Sequence, residues 1–258
     1  MIHQRNYWLW FKINGLLRWG LVHGIVPIYG NVVVTEYPKS GGTWIVYMLS
    51  EAIDIPFPRN RLPLFKRQLL HGHYLYSPKI EKPVVVIRDV RDVVVSQYFR
   101  YFIPNGRNDY LVQKIRAKVP FDDYDDIQNN LSVFIRYLFE KNITKFTWSQ
   151  FVRSWIDKEA IFTSYEAFKA DAVDELIRLV KLLDDRVLPI QRAASIVEKY
   201  SFEKVSGRKA GEEDRSSFYR KGIVGDWKNY FDERSKELIK KYAGEELIML
   251  GYERDLQW

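Results

Sequence analysis

The sequence of 258 residues contains no cysteine, and this absence excludes several kinds of site at once. Disulfide bonds, thiolate metal ligands and thiol nucleophiles all require that residue. The four histidines are scattered along the chain and do not have the spacing of a metal site. The sequence therefore predicts a protein that binds no metal ion and works in a reducing compartment. We expect it in the cytoplasm, either in solution or at the membrane surface.

Acidic residues are missing from positions 1–30, which carry Arg5, Lys12 and Arg18 among many aromatic residues. No short apolar core followed by small residues marks a signal peptide. Polar and charged side chains interrupt every 20-residue window, so the segment does not predict a membrane span. We expect it to form a helix on the flank of a single domain formed by residues 31–258. Peripheral contact with an anionic membrane surface is the alternative.

The chain has a formal net charge of +7 and an aromatic content of 16%. The charge indicates an anionic partner, such as a nucleotide, a phosphorylated or sulfated ligand, an acidic membrane or nucleic acid. After residue 36 the basic residues are mixed with acidic ones and form no single stripe, which argues against nucleic acid. The aromatic residues are suited to core packing or to stacking on a nucleobase.

Short β-branched runs predict strands that are buried on both faces of a parallel sheet. The runs are residues 31–37, 82–89 and 159–165. The expected helices are residues 42–53, 89–102, about 170–183, 148–157, 189–199 and 232–243. This alternation predicts an α/β fold, with helices on both faces of the sheet. Residues 103–130 are polar and resist assignment, and we expect them to include a mobile loop. The composition of residues 206–226 predicts a long functional loop.

A phosphate-binding turn is indicated where the chain reads VVVTEYPKSGGTW, residues 32–44. A turn from a strand into a helix directs backbone N–H groups at an anion, and the helix N-terminus adds its dipole. The glycines allow close approach, the lysine adds charge, the hydroxyls are donors, and the tryptophan is able to stack on a base. These residues are Lys39, Ser40, Gly41, Gly42, Thr43 and Trp44. The lysine precedes the glycines, so the motif is not G-x-x-x-x-G-K-[ST].

Two further stretches complete a pattern. VVVIRDVRDVVVSQYF has Arg88 at a strand end and Ser96 eight residues later, and FYRKGIVGDWKNYF contains Arg220, Lys221 and Gly222. Together the three stretches resemble the cytosolic-type sulfotransferases, which use 3′-phosphoadenosine 5′-phosphosulfate (PAPS). The motifs of that family read approximately Y-P-K-S-G-T-T-W, an arginine with a serine eight residues later, and R-K-G-x-x-G-D-W-K-N.

The resemblance covers about residues 32–232 and implies a three-layer α/β sandwich, similar to P-loop nucleoside triphosphatases. It implies transfer of a sulfuryl group from PAPS to a hydroxyl or amine, leaving adenosine 3′,5′-bisphosphate (PAP). It assigns the 5′ end and the adenine to residues 39–44. The 3′-phosphate is assigned to Arg88, Ser96, Arg220, Lys221 and Gly222. Tyr165 matches an adenine-contacting tyrosine of the family, and Tyr200 and Phe202 are expected to border the base.

The stretch RQLLHGHYLYS, residues 67–77, lies where the family carries K-T-H with the histidine as base. Aligned on that motif, His73 takes the base position and His71 replaces the lysine. Histidines at i and i+2 of an extended segment share one face. We expect His73 rather than His71 to be the general base, and Lys39 to supply most of the charge at the bridging oxygen. Gly42 also departs from the family, which has a threonine there.

Other functions stay open beside this one. A nucleotide or small-molecule kinase would use Asp89 for Mg²⁺, although the G-K-[ST] order is missing. A non-enzymatic module would bind anions through the net charge alone. The acceptor, whether a small molecule, a lipid or a glycan, has no readable code in the variable regions 55–66 and 103–130. The oligomeric state has none either.

Overall fold

The computed structural model describes residues 2–24, 30–59, 61–64, 66–106, 108–141 and 143–258. The strands are β1 Val32–Glu36, β2 Leu69–Gly72, β3 Val84–Ile87 and β4 Ile161–Ser164. The helices are α1 Ile2–Val22, α2 Gly42–Ala52, α3 Val90–Phe102, α4 Asp109–Arg116, α5 Ile127–Glu140, α6 Trp148–Trp155, α7 Tyr165–Ala170, α8 Ala172–Asp184, α9 Ile190–Lys199, α10 Phe202–Ser206 and α11 Glu233–Met249. A short 3₁₀ helix spans Asp226–Asn229.

The strands form one sheet in the order β2-β1-β3-β4. β1 lies in the middle and pairs in parallel with β2, where Val33 faces Leu70, and with β3, where Thr35 faces Val85. Every residue of β1 and of β3 is buried, as their β-branched sequences predict for a parallel sheet. The predicted α/β class, a parallel sheet flanked by helices, is confirmed.

The chain forms two compact units, each assembled from separate segments. The first unit contains Met1–Glu36, Gly41–Val86 and Asp157–Tyr200, and the second contains Tyr37–Ser40, Ile87–Ile156 and Ser201–Trp258. The predicted division at residue 30 therefore falls inside the first unit. In the turn of residues 37–44, the residues up to Ser40 belong to the second unit, and those from Gly41 onward belong to the first.

The core of the first unit is formed by the sheet together with α2, α8 and α9. Val34, Ile45 and Leu179 are fully buried in it. The helix α8 begins where the Asp171 side chain accepts hydrogen bonds from two backbone N–H groups, as an N-cap residue does. These helices and the strands β1, β3 and β4 were all predicted by apolar periodicity, and their predictions are confirmed.

The helix α1 belongs to the first unit and was predicted. Asn14 is buried and donates to the carbonyl of Arg61, and Leu21 is buried as well. These contacts agree with a helix on the flank of the unit. No helix in the described part of the chain is long and apolar enough to cross a bilayer.

The second unit is mainly helical, and its core is built around aromatic rings on α3 and α5. The ring centroids of Tyr98 and Phe102 lie 4.7 Å apart, and Phe134 packs edge-on against both rings. A capping box of Thr147 and Gln150 starts α6, which was predicted.

Residues 103–130, for which the sequence predicts a loop but no helix, contain α4 and the beginning of α5. The sequence of α4 is mostly polar, and only Val112 and Ile115 of its eight residues are buried. Apolar periodicity therefore does not mark it as a helix. Asp126, in the acidic cluster, is the N-cap residue of α5 and accepts from the N–H of Asn129. The loop predicted at residues 206–226 is confirmed between α10 and the 3₁₀ helix.

Candidate active site

The turn after β1 has the alternating backbone of an anion-binding site. Lys39 has a φ of 78° and Gly41 a φ of 90°, with Ser40 between them donating its N–H to the Tyr37 carbonyl at 3.1 Å. A positive φ is unfavourable for a lysine, and such strain persists mainly where function requires it. Successive residues whose backbone conformations alternate between negative and positive φ direct their N–H groups at one point. The predicted phosphate-binding turn therefore has a suitable backbone.

Two side chains of this turn belong to the second unit. Ser40 is fully buried, and its Oγ has no hydrogen-bond partner among the described residues. A buried hydroxyl without a partner carries an uncompensated desolvation cost, which a ligand oxygen would relieve. The Lys39 ammonium lies 4.7 Å from the ring centroid of Phe218, so a cation–π contact holds it.

The two glycines of the turn belong to the first unit and pack closely on side chains. A Cβ on Gly41 would lie 2.6 Å from the Tyr165 ring, and one on Gly42 would lie 2.7 Å from Cδ of Glu36. Both distances are shorter than any real Cβ contact. The glycines were predicted to allow a ligand to approach, and the structure adds protein neighbours that exclude any side chain there.

The candidate adenine-stacking residues of the first unit lie together. The indole Nε1 of Trp44 donates to the Tyr200 carbonyl at 2.7 Å, and the Trp44 and Tyr165 rings meet edge-on at 5.9 Å. Tyr200 stacks on Tyr47 with ring centroids 5.9 Å apart. Thr43, also assigned to the nucleotide, is half-buried in the first turn of α2.

Both candidate histidines are held by one residue, Glu36 at the end of β1. The Nε2 of His71 lies 3.0 Å from Glu36 Oε1, and the Nδ1 of His73 lies 2.9 Å from the Glu36 carbonyl oxygen. The other carboxylate oxygen, Oε2, accepts from the N–H of Gly42 at 2.6 Å. The imidazole rings of His71 and His73 lie 5.9 Å apart, in agreement with their predicted common face.

The Glu36 carboxyl is only 4% exposed. Burial alone would raise its pKa, but the hydrogen bond and charge of His71, the charge of His73 and the Gly42 N–H together hold the pKa below its ordinary value. Glu36 is therefore a buried carboxylate between two imidazoles. His73 is exposed, whereas the His71 side chain is only 12% exposed. Of the two imidazoles, that of His73 is therefore the more exposed to a substrate.

In the second unit, Arg88 lies beyond the end of β3 and contacts two other elements. It donates to the Lys39 carbonyl at 3.3 Å, and its guanidinium lies 3.7 Å from the Asp92 carboxylate. Asp92 in turn accepts from the N–H groups of Gly225 and Trp227, at 2.8 and 3.0 Å. Burial raises the pKa of Asp92, although Arg88 and these N–H groups oppose the rise. Asp92 thereby joins α3 to the third sequence motif.

The two cations of the third motif are held by carboxylates. Lys221 contacts Asp226 at 2.7 Å, and Arg220 pairs with both Asp226 and Glu213. The Arg220 guanidinium also lies 4.3 Å above the Phe99 ring. Burial would raise the pKa of Asp226, but Lys221 and Arg220 lower it overall. These contacts fix the positions of both cations.

The remaining predicted residues also lie in the second unit. Gly222 has a φ of 68°, and a Cβ on it would lie 2.3 Å from the Phe202 ring, so these two residues pack directly together. Ser96 is half-buried on α3, two turns beyond Arg88. Asp89, the acid required by a kinase, pairs with Arg91 through both of its oxygens.

The carboxylates of this site were not predicted as site residues: Glu36, Asp92, Glu213 and Asp226. Asp226 was inside a motif and could have been chosen as the partner of the lysine five residues earlier. Asp92 lies four residues after Arg88, but its backbone partners Gly225 and Trp227 are far away in the chain. The histidine partners of Glu36 are far away as well. No periodicity or spacing signals such a pair.

Comparisons with known proteins agree with this fold and these motifs. The sequence model of the Sulfotransferase domain matches residues 73–251, more than half of the chain. The human Sulfotransferase 1E1 is 24% identical, with 92% of each chain covered. The flavonol 3-sulfotransferase of Flaveria bidentis is 27% identical, over 86% of this chain and 83% of its own. The crystal structure of mouse sulfotransferase SULT7A1 complexed with PAP superposes with a TM-score of 0.66, at 20% identity, covering 93% of this chain and 94% of that one.

The fold and motifs thus define an α/β group transferase. The chain belongs to the sulfotransferase family, and it is a PAPS-dependent sulfotransferase of the cytosolic type, as the motifs predicted.

Proposed function

We propose that the enzyme transfers the sulfuryl group to a hydroxyl of an apolar acceptor, with His73 as the general base. The observation that carries this proposal is the contact between His73 Nδ1 and the Glu36 carbonyl at 2.9 Å. A carbonyl oxygen only accepts, so Nδ1 carries the proton and Nε2 keeps its lone pair. An exposed imidazole that carries its proton on Nδ1 is suited to remove the proton of an incoming hydroxyl through Nε2.

The residues of the site fit a nucleotide with phosphate at both ends. The buried hydroxyl of Ser40, which has no partner in the part of the chain that the structure describes, would bind the 5′ end together with the glycine turn. Trp44 and Tyr165 would contact the adenine. Tyr200 and Phe202 would border the base. The 3′-phosphate would be held by Arg88, Ser96, Arg220, Lys221 and Gly222. Bound PAPS would supply the sulfuryl group and depart as PAP.

Lys39 has the role of stabilising charge in this proposal. The family's second lysine is absent, so the ammonium of Lys39 would donate to the oxygen that bridges phosphate and sulfur. Transfer would be in-line, without a covalent enzyme intermediate, because the site supplies positioning and electrostatics rather than a nucleophile. His71 would orient the site rather than accept the proton, since its Nε2 is engaged by Glu36 at 3.0 Å.

An apolar groove of about 740 Å³ in the first unit is the candidate acceptor site. Its lining includes Trp10, Tyr47, Phe57, Arg59, Arg61 and Leu62. The Phe57 ring, which lines the groove, also meets the His71 ring edge-on at 6.1 Å, which supports this choice. An apolar groove of this size favours a small aromatic molecule or a lipid over a glycan.

The test is a mass-shift transfer assay from PAPS into a panel of phenols, lipid alcohols and oligosaccharides. We expect product with apolar hydroxyl acceptors and no requirement for Mg²⁺. Calorimetry should show PAP binding without metal, and PAP should raise the melting temperature. Turnover of ATP that strictly requires Mg²⁺ would instead favour the kinase. Anion binding that ignores PAP and depends steeply on salt would favour the non-enzymatic module.

Membrane contact through residues 1–30 is a separate proposal. The helix α1 exposes Ile13, Leu16 and Trp19, which are 45%, 68% and 48% accessible. An exposed apolar helix flanked by cations is able to lie on an anionic bilayer. Co-sedimentation with phosphatidylserine vesicles should be reduced by Leu16→Glu, and equal sedimentation of the variant and the wild type would refute the contact.

A further inference from the structure

The chain departs from the motifs of its family at Gly42 and His71, and both residues contact Glu36. Gly42 N–H donates to Glu36 Oε2 at 2.6 Å, and His71 Nε2 lies 3.0 Å from Oε1. The two departures are 29 positions apart in the sequence (71 − 42). The structure brings them to opposite oxygens of one carboxylate. Because both residues that differ from the family motifs contact the same carboxylate, we expect the two differences to be linked.

A threonine at position 42 is incompatible with Glu36 as it lies here. The Cβ alone would come within 2.7 Å of Glu36 Cδ, 2.9 Å of Oε2 and 3.0 Å of His71 Nε2. Because the Glu36 carboxyl is 4% exposed, it has little room to move aside. The absence of a side chain at Gly42 therefore makes room for the carboxylate.

A lysine at position 71 would not be able to stabilise the departing phosphate, which is the function expected of the family lysine. Its ammonium would lie beside a buried carboxylate and would form an ion pair with it. The cation would then be unavailable for a departing phosphate. A histidine instead donates one N–H to the carboxylate and keeps a planar ring in a fixed orientation.

We propose that Glu36 is a positioning residue that fixes both imidazole rings, and that Glu36, Gly42 and His71 form a coupled set replacing the threonine and lysine of the family. Its carboxylate holds His71 with the proton on Nε2, and its carbonyl holds His73 with the proton on Nδ1. One residue at the end of β1 thus determines opposite tautomers in two neighbouring histidines. The role of Glu36 in turnover rests on the proposed function, whereas its role in orienting the two imidazole rings does not.

The tautomers are measurable without substrate. The chain has only four histidines, so long-range ¹⁵N–¹H spectra of the free protein at pH 8 resolve each imidazole, with His71→Gln and His73→Gln providing assignments. We expect the Nε2–H form for His71 and the Nδ1–H form for His73. Glu36→Gln should shift the His71 nitrogens and leave the tautomer of His73 unchanged, because the backbone carbonyl remains.

The matched control is Glu175→Gln, which removes a carboxylate of the first unit that pairs with Arg178 instead. It should leave the imidazole spectra unchanged. Glu36→Gln should lower kcat about 10- to 100-fold while KM for the acceptor and the affinity for PAP stay within about twofold, as loss of an orienting partner does. Unchanged His71 signals in Glu36→Gln would overturn the proposed hold, and unchanged kcat would overturn its role in turnover.

The coupling is tested by restoring the family residues. Gly42→Thr alone should lower the melting temperature and kcat, and the loss in melting temperature should be smaller when Glu36→Ala is also present. Adding His71→Lys to this double variant should raise kcat, whereas His71→Lys alone should lower it. Strictly additive effects would refute the coupled set. If His73→Ala retains turnover, the proposed base is wrong, while the spectra still decide whether Glu36 holds the rings.

Discussion

The candidate residues of the two units differ in their chemistry. The candidate residues of the first unit are aromatic rings and imidazoles, with Glu36 as the one carboxylate described in contact with both histidines. Those of the second unit include the cations Arg88, Arg220 and Lys221, which are paired with Asp92 or Asp226. A fourth cation, Lys39, lies over the Phe218 ring. Aromatic rings stack on flat groups, imidazoles transfer protons, and cations neutralise phosphate. Substitutions of the rings and imidazoles of the first unit should thus affect turnover and stacking. Substitutions of Arg88, Arg220 or Lys221 in the second unit should affect phosphate affinity, whereas substitution of Lys39 should affect turnover.

The largest expected effect is on turnover. His73→Ala should lower kcat by about 10²–10⁴-fold and leave PAP affinity nearly unchanged, because the general base acts only in the transition state. His71→Ala should lower kcat less. Steady-state kinetics and calorimetry measure the two quantities. A phenol that is already ionised should be far less sensitive to His73→Ala, and equal sensitivity of ionised and neutral acceptors would contradict the assignment.

The second effect is on the 3′-phosphate. Arg88→Ala should weaken PAP binding by roughly 1.5–3 kcal/mol, the cost of a charge-assisted hydrogen bond, while adenosine 5′-monophosphate loses much less. Ser96→Ala should act in the same direction. Arg153→Ala is a suitable control, since Arg153 pairs with Glu245 and Glu246 outside the motifs. Equal losses for both nucleotides would break the proposed division between the units.

A smaller effect concerns the adenine. Tyr165→Leu should weaken PAP and adenosine 5′-monophosphate equally, by about 0.5–1.5 kcal/mol, the usual value of an aromatic pair. The loss should be independent of salt, whereas the loss caused by Arg88→Ala should decrease as salt screens the charges. Titrations at two ionic strengths test the contrast. A salt-dependent loss in Tyr165→Leu would mean that the ring acts through a charge.

The smallest effect is on stability in acid. The folded-state pKa of Glu36 is below its ordinary value of 4.5, so its carboxylate stabilises the fold above that pH. This contribution is lost as the pH falls from 4.5 through the lower folded pKa. The wild type should therefore lose unfolding free energy more steeply than Glu36→Gln in this window, as urea titrations would show. Parallel curves would show that the lowered pKa is not linked to folding.

The extent to which the sequence predicts this molecule differs between its elements. β1 and β3 were found because a strand buried on both faces needs a continuous β-branched run. β2 was expected only as an extended segment, since its four residues include a histidine and a glycine. α4 was missed because only two of its eight residues are buried.

Within the site, the residues that follow strand ends were predicted, since a turn of glycines and hydroxyls has a chemical signature. The carboxylates that hold them were not. Glu36 acts on a histidine 35 positions away, and Asp92 on backbone groups 133 and 135 positions away. Such contacts arise from the folded topology, which one sequence does not encode as a local pattern.

The interleaving of segments also determines how the chain can fold during synthesis. The first unit needs Asp157–Tyr200 before it is complete, because β4 and the helices α8 and α9 belong to that segment. A ribosome releases β1, α2 and β2 long before that segment, so their apolar surfaces stay uncovered while the seventy intervening residues 87–156 are translated. Nascent chains arrested near residue 150 should therefore bind chaperones, and no single cut in the gene would yield either unit alone.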